Sequence, residues 1–315
     1  GGKSYGFHPS LQPLKDLYDQ KKLAVVANAG TLIAPITMAD YKAGKNRPPN
    51  LFSHSDQQML WQGLMPGEIV RTGWGGRLAD KLASMNTGQK IPTMVSVSGT
   101  QVFNSGHDTR PFVIPGNGGV LLSGQGADAV STARYNALRS LLGTGGGNKI
   151  FDGAASILDK SLSAADAANP YLTATLPATI QTAFTVGGTL LNTGLANQLK
   201  QVARLIEARG VLGVKRQVFF CSLGGFDTHG EDQLADQGDN LEDLSGSLAA
   251  FYNATVELGV AAQVTAFTAS DFGRDLPANG NGGSDHGWGN HHLIVGGAVN
   301  GAKLYGRFPA LVVDG

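Results

Sequence analysis

Gly224-Gly225-Phe226-Asp227-Thr228-His229-Gly230 and, further on, Ser270-Asp271-Phe272-Gly273-Arg274 are the segments on which the reading of this chain turns. The second runs through a Gly/Asn-rich loop into Ser284-Asp285-His286-Gly287-Trp288-Gly289-Asn290-His291-His292, so four of the seven histidines lie in these segments. Their flanks say where they sit. Residues 217–223 are an apolar run rich in β-formers that ends at two glycines, and they read as a buried strand. Residues 264–269 read the same way and run into Ser270-Asp271. Between them Leu241, Leu244, Leu248, Phe251 and Val256 recur at helical spacing over 239–258. Strand, helix, strand predicts a right-handed βαβ unit with 217–223 and 264–269 as neighbouring parallel strands. Both polar segments then emerge at the C-terminal edge of one sheet, where open α/β sheets place their ligands.

Composition narrows the function classes. The 315 residues hold 24 Lys and Arg against 24 Asp and Glu, a formal net charge of zero. Without a basic stripe an electrostatic nucleic-acid binder is disfavoured. No apolar run is long enough to span a membrane, and no secretion signal opens the chain. Hydrophobic residues at 42 % supply a core for one α/β domain, or one with an inserted lobe. The low charge and 45 glycines fit an extracytoplasmic protein. Cys221, the single cysteine, lies in an apolar run and reads as an inert core thiol.

The rest of the chain supports a sheet with helices. Leu11, Leu14, Leu17 and Tyr18 predict an amphipathic helix, and 23–29 a strand ending at Gly30. Ser53-His54-Ser55-Asp56 reads as the cap of a helix over 57–62, with His54 either at the sheet edge or simply a capping residue. Trp74-Gly75-Gly76-Arg77 opens a helix through Leu82, with Arg77 facing the site or a surface carboxylate. Residues 91–98 predict a strand, and 99–126 a hairpin or long loop in which His107-Asp108 is a surface turn. From 128 to 210 leucine spacing predicts a helical lobe inserted in the sheet order, poor in ligands; its Gly143–Gly147 break is not a phosphate loop, because no Gly-Lys-Ser/Thr follows. Residues 291–297 are a further strand whose alternation sends His291 and His292 to opposite faces, so at most one is a ligand. Asn300-Gly301 is a hairpin-turn signal that would return Lys303-Leu304-Tyr305 as its partner. Trp288 is either a wall of the site or a core aromatic.

Carboxylate and imidazole together suit a borderline divalent cation, Zn, Mn or Fe rather than Ca, which prefers all-oxygen shells. The same segments carry a resemblance. GGFDTHG, SDFGR and SDHGWGNHH, followed by Gly296-Gly297-Ala298-Val299-Asn300-Gly301 and Tyr305-Gly306-Arg307-Phe308-Pro309, resemble the DUF1501 family, bacterial proteins grouped with the alkaline phosphatase and sulfatase superfamily. The match is most specific over 217–309. It extends more weakly through 23–30, Ser53-His54 and Gly73-Trp74-Gly75-Gly76-Arg77. The resemblance implies a three-layer α/β/α sandwich, alkaline phosphatase-like, with a mostly parallel sheet and a metal site at the strand ends. Relatives begin with a twin-arginine-type signal and a first strand that in the wider superfamily carries a metal aspartate. Neither is in this sequence, and Leu311-Val312-Val313-Asp314-Gly315 stops before the usual last segment, so the chain reads as one processed or partial domain over 1–315.

Motifs and resemblance together lead us to expect a metal-dependent hydrolase acting on small phosphate or sulfate esters. The metal ligands would come from Asp227, His229, Asp271, Asp285, His286 and one of His291 or His292. Arg274 would balance the substrate's negative charge, since a guanidinium grips such oxyanions with paired hydrogen bonds, or would pair with Asp271 or Asp275. Ser53 is the one candidate nucleophile, and His54, beside it in the family's Ser-His motif, is a further candidate catalytic residue. The alternative is an extracellular binding or structural protein on the same fold with a vestigial metal site. A mutase of the cofactor-independent phosphoglycerate type would need a basic cluster that these motifs lack.

Overall fold

The structure is a computed structural model that describes residues 4–65 and 70–309; the readings of the first three residues and of 311–315 lie outside the described residues. Helix α1 (Gln12–Asp19) leads into strand β1 (Leu23–Ala29), followed by α2 (Met38–Lys42), α3 (His54–Gly63) and α4 (Trp74–Leu82). Short strands β2 (Met94–Ser96) and β3 (Phe112–Val113) precede the helices α5 (Ala129–Leu142), α6 (Lys149–Leu172) and α7 (Ala178–Ala183). A small hairpin, β4 (Thr185–Val186) and β5 (Thr189–Leu190), then gives way to α8 (Gly194–Glu207) and α9 (Arg209–Leu212). The last part holds β6 (Val218–Phe220), α10 (Gln233–Glu257), β7 (Thr265–Phe267), β8 (Arg274–Ala278), β9 (Ser284–His286), β10 (Asn290–Gly296) and β11 (Lys303–Gly306).

The fold is mixed α/β with several sheets. The largest has the order β11-β1-β10-β7, and β1 runs parallel to β11 but antiparallel to β10, as β7 does. A second sheet, β3-β2-β6, is parallel throughout. The expected pairing of 217–223 with 264–269 is therefore corrected: β6 and β7 lie in different sheets, and the shared edge inferred from a βαβ unit does not exist. Glycines explain the partner β7 takes. A Cβ on Gly296 would stand 2.5 Å from the Val264 carbonyl oxygen, and one on Gly297 2.6 Å from the Ala261 backbone, so only glycines let the segment before β7 close on β10. The expected hairpin after Asn300-Gly301 is also corrected. Ala302 N–H donates to the Leu23 carbonyl, and β11 pairs with β1 rather than with β10. Nor is 99–126 a hairpin, since β3 joins β2 in parallel.

One face of the large sheet is the core. Leu23 and Val25 on β1 and Leu293 and Val295 on β10 pack with Leu14 and Leu17 of α1 and Leu248, Phe251 and Tyr252 of α10. Helix α8 adds Leu195, Leu199, Val202, Leu205 and Ile206 at helical spacing. The other face carries His292, Ile294 and Phe267 in register. Trp61 of α3 stands edge-on to His292, and Trp74 at the start of α4 stacks on Phe267. That second face brings α3 to the site.

Candidate metal centre

His54 is the first residue of α3, behind an extended Ser53. Asp227 and His229 lie in the irregular segment after β6, while Asp285 and His286 sit on β9. Arg274 at the start of β8 stands opposite His286 in the β8–β9 hairpin. Its guanidinium donates to Asp227 Oδ1 at 2.7 Å, to the Thr228 carbonyl at 2.7 Å and to the Ser284 carbonyl. One arginine thus staples the 227–228 segment to the hairpin and sets Asp227 beside His286. The approach is close: a Cβ on Gly283 would lie 2.3 Å from the His229 backbone, so the Gly/Asn-rich loop needs glycine there.

Three imidazoles turn their Nε2 atoms toward Asp227. His229 Nε2 is 2.8 Å and His286 Nε2 3.0 Å from Oδ1, and the two nitrogens are 3.1 Å apart. His54 Nε2 lies 3.2 Å from Oδ2, is buried, and has no hydrogen-bond partner. Each Nδ1 faces an oxygen: Asp271 Oδ2 at 2.6 Å for His54, Asp285 Oδ1 at 3.2 Å for His229, and the Phe52 carbonyl at 2.8 Å for His286. A carbonyl or an ionised carboxylate only accepts, so in the neutral rings the network assigns the hydrogen to Nδ1 and leaves the Nε2 lone pairs aimed at a carboxylate. Lone pairs and a carboxylate repel unless positive charge sits among them. A tetrahedral cation with bonds of about 2.0–2.1 Å holds its ligand atoms about 3.3 Å apart, close to the separations found here. The donor set and the orphaned His54 Nε2 therefore fit a divalent metal. His54, Asp227 and His286 have ligand atoms all within 4.8 Å of one another.

Positive charge at the cluster also stabilises the Asp227 anion. Burial favours the neutral Asp227 carboxyl, but the contacts of His286 and Arg274, with the charge that His54 and His229 carry when protonated, outweigh it and hold its pKa well below the usual carboxylate range. Burial alone would lower the His54 pKa, yet the bonds and charges of Asp271 and Asp227 raise it. Asp285 is held low by hydrogen bonds from Asn279 and His229. The Asp227 side chain is 47 % exposed and that of His229 40 %, so the cluster opens to solvent.

Asp227, His229, Asp285 and His286 converge, and Asp271 lies beside them, although its strand ends in a different sheet from the one that leads to Asp227. Asp271 and Asp285 stand behind His54 and His229, in the orienting position that carboxylates take toward metal-binding imidazoles. Alternation on β10 sends the last pair to opposite faces, but among the described residues no polar contact joins either His291 or His292 to Asp227, so the ligand expected from this pair is not among the converging residues. His291 is exposed, accepts from Asn28 N–H and stacks on Phe308, while His292 is buried against Trp61. Ser53 Oγ lies 3.2 Å from Ser55 Oγ. Arg274 pairs with Asp227 rather than with Asp271 or Asp275. Arg77 turns to the Thr72 and Gly63 carbonyls, joining α4 to the end of α3. Trp288 donates to the Thr31 carbonyl. Burial pushes the Cys221 thiol up to about 12.

Sequence reasoning missed Phe52, Gln58, Trp61 and Asn279. Gln58 Nε2 donates to Asp271 Oδ2 and Trp61 Nε1 to the Asp271 carbonyl, both at 3.2 Å. The signal was present in helical register: His54, Gln58 and Trp61 are spaced i, i+4, i+7 on one face of α3.

The molecule is thus, by class, a mixed α/β protein with a solvent-open His/Asp cluster that fits a divalent cation. Residues 3–314 match the family described as Protein of unknown function (DUF1501), and the chain belongs to that family. No curated protein and no solved structure matches it.

Proposed function

We propose that this chain is a divalent-metal-dependent hydrolase of small phosphate or sulfate esters, built on an alkaline phosphatase-like α/β framework and working outside the cytoplasm. The observation that carries the reading is the convergence of three Nε2 atoms on Asp227, each imidazole anchored at Nδ1 by an oxygen. Zn, Mn or Fe suits this nitrogen-rich set better than Ca. When bound, such a cation polarises an ester oxygen and acidifies a water.

The chain's own residues have separable tasks. Asp227 supplies the anionic ligand, and Arg274 fixes it by donating to Oδ1. Asp271 and Asp285 orient His54 and His229, and Phe52 does the same for His286 through its backbone. The attacking group would be either the Ser53 hydroxyl, which lies 3.2 Å from that of Ser55, or a water. Substrate is a partner of this rim; no helix among the described residues is long and apolar enough to cross a membrane.

The test is metal analysis of the full-length protein after exposure to Zn, Mn and Fe, with p-nitrophenyl phosphate and p-nitrophenyl sulfate as substrates. Retained metal, turnover, and loss of both in Asp285→Ala with His286→Ala are expected. A protein that holds metal but turns over neither class is a binding protein on this fold. One that holds none has no metal centre here.

A further inference from the structure

A cleft of about 250 Å³ is lined by Gly30, Leu32, Pro48, Leu60, Trp61 and Leu64, the last three from α3 and its C-terminal end. Apart from Thr31, its lining side chains are apolar or aromatic. Two tryptophans tie it to the metal-site elements. Trp61 lines the cleft and donates its indole N–H to the Asp271 carbonyl, and Asp271 holds His54. Trp288, two residues beyond His286, donates to the Thr31 carbonyl and covers Gly30 so closely that a Cβ there would meet the indole at 2.6 Å. Trp61, seven residues after His54, lies two turns along α3 on the same face, about 10 Å along the helix axis, so the wall of the cleft and the first imidazole of the cluster share one side of one helix.

We infer that this cleft is the subsite for the apolar part of the substrate, which makes the preferred esters those of aryl or branched-alkyl alcohols. The inference rests on the metal-centre reading above. Its second support is how Arg274 is engaged. The guanidinium is bound to Asp227 and to the Thr228 and Ser284 carbonyls, so it is already committed to protein acceptors. Affinity for the organic half of an ester then comes from apolar burial, and energy from such a remote group is what positions the reacting one. An apolar cavity of about 150 Å³ holds a benzene ring, so a single aromatic ring fits this cleft.

The experiment is calorimetric titration of the full-length, zinc-loaded protein with the non-hydrolysable phenylphosphonate and methylphosphonate and with inorganic phosphate, repeated on Leu32→Trp. Leu32 lies in the loop after β1 and lines the cleft, so the larger ring should fill it. Phenylphosphonate should bind at least about tenfold tighter than methylphosphonate, the factor that burying one ring provides. Leu32→Trp should erase that difference while leaving zinc content and inorganic phosphate affinity unchanged. Equal affinities for phenyl- and methylphosphonate in the wild type overturn the cleft assignment, as does a preference that survives Leu32→Trp. A protein that retains no zinc and binds no phosphate fails earlier, at the metal centre, and the subsite falls with it.

Discussion

The helical segment from α5 to α8 and the loops around Asp227 are held by opposite kinds of contact. In the helical segment many polar ties join one helix to the next, Tyr135 to Asp166 and Arg139 to the Asp159 carbonyl and carboxylate, and longer ones such as Gln201 to the Gly118 carbonyl anchor it to the loop before it. Its apolar stripe on α8 packs by helical periodicity, with Leu205 fully buried, as is Phe184 at the end of α7. At the cluster almost every bond joins distant parts of the chain. His54 meets Asp271, His286 meets the Phe52 carbonyl, and Arg274 meets Asp227. Stability and site geometry are therefore separable here. Helices α5 to α8 contribute burial and no residue to the cluster; the cluster draws His54 from α3, His286 from β9 and Asp227 and His229 from the segment after β6, with little burial.

The largest effect is expected of Asp227→Ala. Removing the one carboxylate on which the three Nε2 atoms converge should abolish metal retention, read by metal analysis, while circular dichroism stays native. If metal remains, the cluster is not its site. Leu205→Ala should do the reverse, lowering unfolding free energy by about 2–5 kcal/mol in a denaturant titration with little change in metal affinity.

His292 tests the boundary between the two regions through pH. Burial, with the charge of His291, lowers its pKa from 6.5 to about 4. Above 6.5 the ring is neutral folded and unfolded, so it contributes no pH dependence. As pH falls from 6.5 toward 4 the unfolded chain takes up the proton first, and stability drops by an amount on the order of 3 kcal/mol. A His292→Leu variant should lose that part of the acid sensitivity; identical acid-unfolding curves for the two proteins would mean that His292 is not buried as a neutral ring.

Asp271→Asn separates ligands from their supports within the cluster. An orienting carboxylate behind a metal-binding imidazole changes affinity by about 10–100-fold rather than abolishing it, so zinc titration should show weakened binding at unchanged stoichiometry. Complete loss would make Asp271 a direct ligand. Ile150→Ser should do least. Ile150 is 84 % exposed on α6, and the change should stay within about 0.5 kcal/mol in stability, with no effect on metal.

Much of this was legible from residues alone, for a physical reason in each case. The helices at 74–82 and across 128–209 were readable because helical periodicity is a local property that tertiary packing here left intact. The opposed fates of His291 and His292 came from strand alternation. The residue types of the cluster, Asp and His, pointed to a group that could hold a divalent cation before any geometry existed. What the sequence could not decide was pairing. Two apolar strands around a helix are equally compatible with one sheet or two. The outcome turned on Gly296, Gly297 and Gly301, whose missing side chains let other backbone segments approach β10 and β1. Likewise the division of the carboxylates between Asp227, at the centre, and Asp271 and Asp285, behind the imidazoles, depends on which oxygen faces which ring nitrogen. That is set by contacts between residues as far apart in the chain as His54 and Asp271. Local pattern determines which elements form and what chemistry they carry; only the folded arrangement determines which atoms meet, because a hydrogen bond or a metal bond depends on position to within tenths of an ångström and sequence spacing does not specify position across the chain.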